Sequence, residues 1–393
     1  MRKLTFLALS LLLTACSAQP GKTPSVEPSV SQAPGPFEVL DAHVRRSMLL
    51  SGNCSAGAVV VMRDDSVLYE KYFGFEGREN GAAPVGPESR FPCFSVSKGF
   101  CAGLLLSLVT DGTVALDDPV AKYVPYFTGT GPGGKFLREK VTLRMLASHS
   151  GGVYGESRPP ATWPAGVEPF SDIVLESEPG TAYHYNELGM RLLGFTLSRA
   201  AGKPYDQLLR ERVLEPLGLT NVGWLHRGDD LTHIVGTCMG FDSIYVHYSD
   251  ETSPEPYPGS GLYATARDLA RYGQLYLDKG RVGDKQIFDP ALLAQAWVSQ
   301  PPTRVPADPE YGLLTWLFPS VGAEVFSGAA HTVCCILPGE NLIVTMCLNQ
   351  AGDSPGWDFA VEKQNLARVG QAVNARLKRQ AGEKEASQHA RER

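Results

Sequence analysis

A chain of 393 residues is long enough for one large domain or two intermingled ones. With 43% hydrophobic and 20% charged residues the composition is that of an ordinary globular protein. A formal net charge of −6 argues against nucleic acid or an anionic membrane surface as partner, and there is no fixed-period repeat.

The first residues, MRKLTFLALSLLLTACS, have a basic start at Arg2 and Lys3, a short apolar core and a small-residue processing site. This is the pattern of an export signal, and it is too short to span a membrane. Its end, Leu13-Thr14-Ala15-Cys16, resembles the bacterial lipobox. That resemblance implies removal of residues 1–15, lipidation of Cys16 and a place in the cell envelope, facing the periplasm. Residues 17 to 36 then hold five prolines and almost nothing to bury, the composition of an extended tether. Seven cysteines remain besides Cys16, an odd number that leaves at least one thiol free within a single chain. None of their spacings is a zinc pattern, so no metal is expected.

The folded part is expected from about residue 37 to 380. Residues 38 to 50 read as an amphipathic helix, and Ala56 to Gly74 as a hairpin turning at Arg63-Asp64-Asp65-Ser66. The run from Phe91 to Gly112 reads as a buried apolar helix. A further helix opens at Thr142 and ends near Gly151-Gly152, while residues 153 to 178 lack periodicity and should cover a surface or rim a cleft. Helices follow through Leu192, Leu193 and Leu197, and from Pro204 to Leu217. After an irregular stretch, Thr265 and Asp268 give a capped amphipathic helix. The last third returns to strands, with a hairpin at Pro338-Gly339-Glu340-Asn341. A helix from Trp357 to about Arg379 closes the fold ahead of a charged, frayed tail over residues 381–393. Strands at both ends imply an α/β fold with one antiparallel sheet built from both termini, helices against it, and a mainly helical insert at about 115–260.

Ser95 and Lys98 stand three apart at the start of the buried helix and so share a face. A serine hydroxyl becomes a nucleophile when a base takes its proton, and a desolvated lysine one turn away can be that base. About one Ser-x-x-Lys arises by chance in a chain of this length, so the pair needs other parts around it. Tyr185, after the Pro179-Gly180-Thr181 turn, is a candidate second proton handler. The small residues Ser327-Gly328-Ala329, on an expected edge strand, can let substrate lie against the backbone and offer an N–H beside that of Ser95. There is no Gly-x-Ser-x-Gly elbow, and no paired histidine is placed to activate Cys93 or Cys101.

In this order the segments resemble the serine β-lactamase and penicillin-binding superfamily, in its class C-like branch with carboxylesterases, D-aminopeptidases and 6-aminohexanoate-dimer hydrolases. The resemblance spans AGAVVVMRDDSVLYEKYFGF, FSVSKGF, LDDPVAKYVPYF, VTLRMLASHSGG, PGTAYHYNELGMRLLG, GSGLYATARDLARYGQLYLDKG and YGLLTW. It implies a β-lactamase/transpeptidase-like fold with Ser95 as nucleophile, Lys98 as its base partner and Tyr185 as the catalytic tyrosine. It also implies that Asn186 and Glu187 complete the second motif, and that Phe326, Ser327 and Gly328 form the third, with the Ala329 N–H as the second oxyanion donor. The family's carboxylate-binding cation on the third motif is replaced by Phe326, and Glu187 adds a negative charge expected to repel a substrate carboxylate. The function implied is hydrolysis of a small ester, amide or short peptide without a cofactor, with penicillinase activity not the main one. A cell-wall D-amino-acid peptidase or carboxypeptidase and a non-catalytic penicillin-binding-like lipoprotein are the alternatives.

Overall fold

The computed structural model describes residues 35–50, 54–77, 79, 81–155, 160–239, 243–246, 248–249, 256–301, 309–351 and 358–391. Cys16 and the export signal lie outside them, as does Trp357.

Alternation organises the chain. Along Ala56–Arg63, the residues Ala58, Val60 and Met62 enter one core and Val59 and Val61 the other. Val333–Leu337 does the same, so the adjacent thiols of Cys334 and Cys335 face opposite sides. The resulting sheet is antiparallel throughout. Its order is Glu310–Tyr311, Trp316–Phe318, Ala323–Ser327, Val333–Leu337, Leu342–Leu348, Ala56–Arg63, Ser66–Gly74. Both termini therefore build it, as the sequence predicts. The hairpin turns at Asp64 and Asp65, both left-handed, with Arg63 opposite Ser66.

One face is covered by the helix Glu38–Leu50 and the closing helix Phe359–Arg391, through Leu40, Val44, Leu366 and Val373. The closing helix runs on to Arg391 instead of fraying after Gly382. On the other face lies the helix Ser97–Thr110, buried at every residue from Ser97 to Leu108. Beside it packs Ala266–Leu277, which starts with the capping box of Thr265 and Asp268, a device worth about 1 kcal/mol.

The intervening region carries Glu187–Ala201, a short helix Leu143–Ala147 capped by Thr142, and a helical run from Tyr205 to Leu217 interrupted by a π-turn at Arg210–Leu214. Leu143–Ala147 ends before the expected Gly151-Gly152 because His149 takes a left-handed φ of 55°. All seven described cysteines are free thiols, six of them buried. Burial pushes the Cys101 thiol up to about 12 and Cys93 well above its usual range, which fits packing and argues against a thiolate nucleophile.

Candidate active site

Ser95 lies in a single 3-10 turn, Phe94–Val96, that feeds the buried helix, and Lys98 occupies that helix's first turn. The turn is pinned from two sides. Cys93 donates its N–H to Leu262 O (2.8 Å), Leu262 N–H reaches Ser97 Oγ (3.3 Å), and Thr332 Oγ1 donates to Pro92 O (3.0 Å). Ser95 is thus set between the strand Leu262–Ala264 and the turn after Ser327.

Lys98 is buried, with 2% of its side chain exposed. Its Nζ lies 3.0 Å from Ser95 Oγ, 3.0 and 3.2 Å from the two oxygens of Glu187, and 3.0 Å from Gly259 O. The desolvation expected of Lys98 is present, and a carboxylate and a carbonyl answer it. Glu187, expected to project a net negative charge at substrate, spends that charge on Lys98. Its remaining 35% exposure puts it at the rim of the site.

Tyr185 meets Lys98 through its ring, with Nζ 4.8 Å from the centroid. Among the described residues its hydroxyl has no hydrogen bond, so the structure brings Tyr185 to the lysine without forming the expected proton path. The ring is held by others: His149 at 4.5 Å, Trp316 stacked at 6.0 Å and Tyr311 edge-on at 6.2 Å.

Three expectations change. Asn186 does not face substrate; it caps its helix, Oδ1 accepting from Gly189 N–H (2.6 Å) and Nδ2 donating to His184 O (2.8 Å). Phe326 is not at the cleft surface either. It is 2% exposed and packs under Gly99, beside Tyr272 and Tyr276. A Cβ on Gly99 would stand 2.6 Å from that ring, so this glycine makes room for the phenyl group. Nor is Ala323–Ser327 an edge strand, since Trp316–Phe318 pairs outside it up to Val325 and only its last two residues run past that partner. The phase of the strand explains Phe326: it lies on the same face as the buried helix, opposite Cys334.

Beyond that strand the chain turns. Gly328 N–H closes onto Thr332 O (2.8 Å), and a Cβ at Gly328 would sit 2.1 Å from Cys93 O, a close approach that requires glycine. Ser327 Oγ is buried with no hydrogen-bond partner among the described residues. Ala329 is exposed, and among the described residues its N–H has no acceptor. His331, two residues on, is buried, and burial lowers its imidazole to about 3.

Sequence reasoning missed Gly259 and His149. The run Pro258-Gly259-Ser260-Gly261 was the available signal for a backbone carbonyl brought close to a side chain. His149 Nδ1 accepts the Asn186 N–H at 3.5 Å, while its Nε2 is buried with no partner among the described residues. Burial, reinforced by the charge of Lys98, holds this imidazole well below the ordinary histidine range and so neutral. Among the described residues no group of His, Cys, Asp and Glu is arranged to hold a metal ion.

The family model described as Beta-lactamase matches residues 40–368. The chain belongs to the beta-lactamase family. Beta-lactamase-like protein 2 of Dictyostelium discoideum is 27% identical over 71% of this chain, although the match spans only 51% of that protein. The D-alanyl-D-alanine-carboxypeptidase/endopeptidase AmpH of Escherichia coli is 25% identical over 68% of this chain and 69% of its own length. Among solved structures, EstCE1, a hydrolase with promiscuous acyltransferase activity, superposes with a TM-score of 0.67 at 20% identity, covering 86% of this chain and 99% of its own. This beta-lactamase-family chain accordingly has the fold of the serine β-lactamases and penicillin-binding proteins.

Proposed function

We propose that the chain is an exported, lipid-anchored serine hydrolase that cleaves a small ester or amide through an acyl-enzyme on Ser95, and that it is not primarily a β-lactamase. The observation that carries this reading is the set of partners around Lys98 Nζ. Glu187 and Gly259 O can only accept hydrogen bonds, whereas Ser95 Oγ can also give one. A neutral lysine has two N–H groups and one lone pair. In that form, the one that can act as base, the two N–H groups serve Glu187 and Gly259 O and the lone pair falls to the Ser95 hydroxyl, whereas the ammonium of the ion pair donates to all three.

Ser95 Oγ then attacks the carbonyl carbon as its proton passes to Lys98, and Glu187 compensates the ammonium so formed. The N–H groups of Ser95 and Ala329 hold the oxyanion, each such donor contributing on the order of 3 kcal/mol. Lys98 returns the proton to the leaving alcohol or amine, with Tyr185 beside it as the second proton handler. Water releases the acyl group by the same steps in reverse. The site residues need no cofactor for this. The Leu13–Cys16 lipobox pattern supports an envelope location with the catalytic domain on a tether.

The test is a hydrolysis panel on the full chain and its Ser95→Ala variant, using 4-nitrophenyl acetate, nitrocefin, a D-alanyl peptide and a linear ω-amino amide. Ser95-dependent turnover of the ester or ω-amino amide, with nitrocefin near background, is the expected result. Equal rates in both proteins would overturn the assignment of Ser95. Faster turnover of the D-alanyl peptide would favour a second reading, a cell-wall peptidase, which the similarity to AmpH supports. Slow acylation without turnover would indicate a binding protein.

A further inference from the structure

A cleft of ≈ 190 Å³ is walled by Phe94, the residue before Ser95, and by Trp224, Tyr248 and Tyr257. The guanidinium of Arg191, which also lines it, stacks 4.5 Å from the Tyr257 centroid. We propose that this cleft holds the acyl group of the substrate and that the enzyme prefers aromatic acyl chains, of the benzoyl or phenylacetyl type. The inference rests on the serine-hydrolase reading above and specifies its substrate class.

Size is the first argument. An apolar cavity of about 150 Å³ is enough to take up benzene, so ≈ 190 Å³ accommodates a phenyl ring with its linking carbon. Chemistry is the second. Aromatic side chains on several sides favour another aromatic ring by stacked or edge-on contacts, which add to the burial of apolar area.

The third argument is position. Phe94 immediately precedes the nucleophile, and Ser260 and Gly261 on the cleft wall directly follow Gly259, whose carbonyl binds Lys98. The cleft therefore opens on the Leu262–Ala264 side of Ser95, whereas the exposed Ala329 N–H lies on the other. A carbonyl held between Ser95 and Ala329 has one substituent directed into the cleft and the other toward solvent. In the reaction Ser95 Oγ bonds to the carbonyl carbon as the C–O or C–N bond breaks, and the leaving group departs with the serine proton. Water then cleaves the new ester to give the aromatic carboxylic acid. The acyl group alone stays at Ser95 through both halves, so a built pocket next to the nucleophile serves it better than it serves the leaving group.

The walls are preset. Trp224 Nε1 donates to Ser260 O at 3.1 Å, and its ring lies so close to Gly261 that a Cβ there would be 3.0 Å away. Tyr257 Oη donates to Glu187 O at 3.4 Å. Side chains already fixed lose little entropy when a ring enters.

The experiment compares 4-nitrophenyl acetate, hexanoate, benzoate and phenylacetate on the full chain, then repeats the series with Trp224→Ala and Ser249→Trp, the second narrowing the cleft from its rim. Thermal melting confirms that each variant is folded. kcat/KM for the better aromatic ester should exceed that for acetate by about ten- to a hundredfold, and both variants should reduce the ratio toward one. Hexanoate surpassing both aromatic esters, or a ratio that neither variant moves, would overturn the proposal while the acetate rate still supports a serine hydrolase. If no ester is cleaved, the hydrolase reading fails, and calorimetry then decides on the cleft. Phenylacetamide binding more tightly than acetamide to the Ser95→Ala protein, and lost in Ser249→Trp, would still place an aromatic group there. No such difference would overturn it.

Discussion

Lys98 and Glu187 form a two-pronged ion pair, both carboxylate oxygens lying within 3.2 Å of a lysine that is otherwise sealed from solvent. The pair explains why a chain can carry glutamate in its second motif without presenting a net charge to substrate. It also assigns the glutamate a task, since it stabilises the ammonium that Lys98 regains whenever its base form takes the proton of Ser95.

Glu187→Gln keeps a carbonyl oxygen for Lys98 but removes the compensating charge. A hydrogen bond to a charged group is worth about 1.5–3 kcal/mol, and partial exposure of Glu187 places the effect at the lower end, so acylation should slow by roughly tenfold. Rapid-mixing kinetics with 4-nitrophenyl acetate measures it. Acylation as fast as in the parent protein would show that the pair is structural.

His149 offers a separate test of how Tyr185 is held. His149→Asn tolerates the left-handed backbone and retains a side-chain acceptor but removes the ring packed 4.5 Å from Tyr185. The expected outcome is a fall in kcat of about ten- to a hundredfold, on the scale that misplacing a catalytic group costs. Because burial keeps this imidazole neutral, the shape of the pH–rate profile between about pH 5 and 8 should be unchanged. Loss of a limb in that range would make His149 the titrating base instead.

The readability of this chain in sequence depended on where each residue gets its partners. Helix Glu38–Leu50, the Asp64-Asp65 turn and the Thr265–Asp268 capping box are fixed by neighbours a few positions away, and these were legible. The pairing of Ser95 with Lys98 was legible for the same reason. Glu187 and Gly259, which complete the cage around Lys98, come from 89 and 161 positions away, and no local pattern reports such distances. Phe326 was misread because its motif position was known but its phase on the strand was not. Alternation is easily read along Val333–Leu337 and obscured where a strand breaks into the turn at Gly328.

Phe326→Lys, which restores the cation of related third motifs, should therefore fail to restore their function. The ammonium would be buried among Gly99, Tyr272 and Tyr276 in place of a packed ring. Losing a buried phenyl alone costs about 3–5 kcal/mol, and an unpaired charge adds to that. A large drop in the urea midpoint is expected, with no gain in nitrocefin hydrolysis. A stable variant that hydrolyses nitrocefin would show that residue 326 can reach the cleft.

Glu324, one strand position before Val325, gives a pH dependence whose sign can be worked out. Burial raises its carboxyl from 4.5 to about 7 in the folded protein. Between those values the folded state keeps a proton that the unfolded chain has released, so stability falls as pH rises through the window. Below 4.5 the group is neutral in both states, and above 7 it is ionised in both, so the deficit is absent at the acid end and constant at the alkaline end. Glu324→Gln removes it. The Tm of the variant should match that of the parent near pH 4.5, rise above it as pH increases, and hold a constant lead of about 2 °C or more beyond pH 7. His43 and His331, lowered to about 4 and about 3, act in the opposite direction, since each destabilises the fold as pH drops below 6.5. They are common to both proteins and cancel in the difference, which makes the paired melting curves, and not either curve alone, the measurement. A lead of the same size at pH 4.5 and pH 8 would mean that Gln improves packing at this site and that ionisation of Glu324 has no part in it.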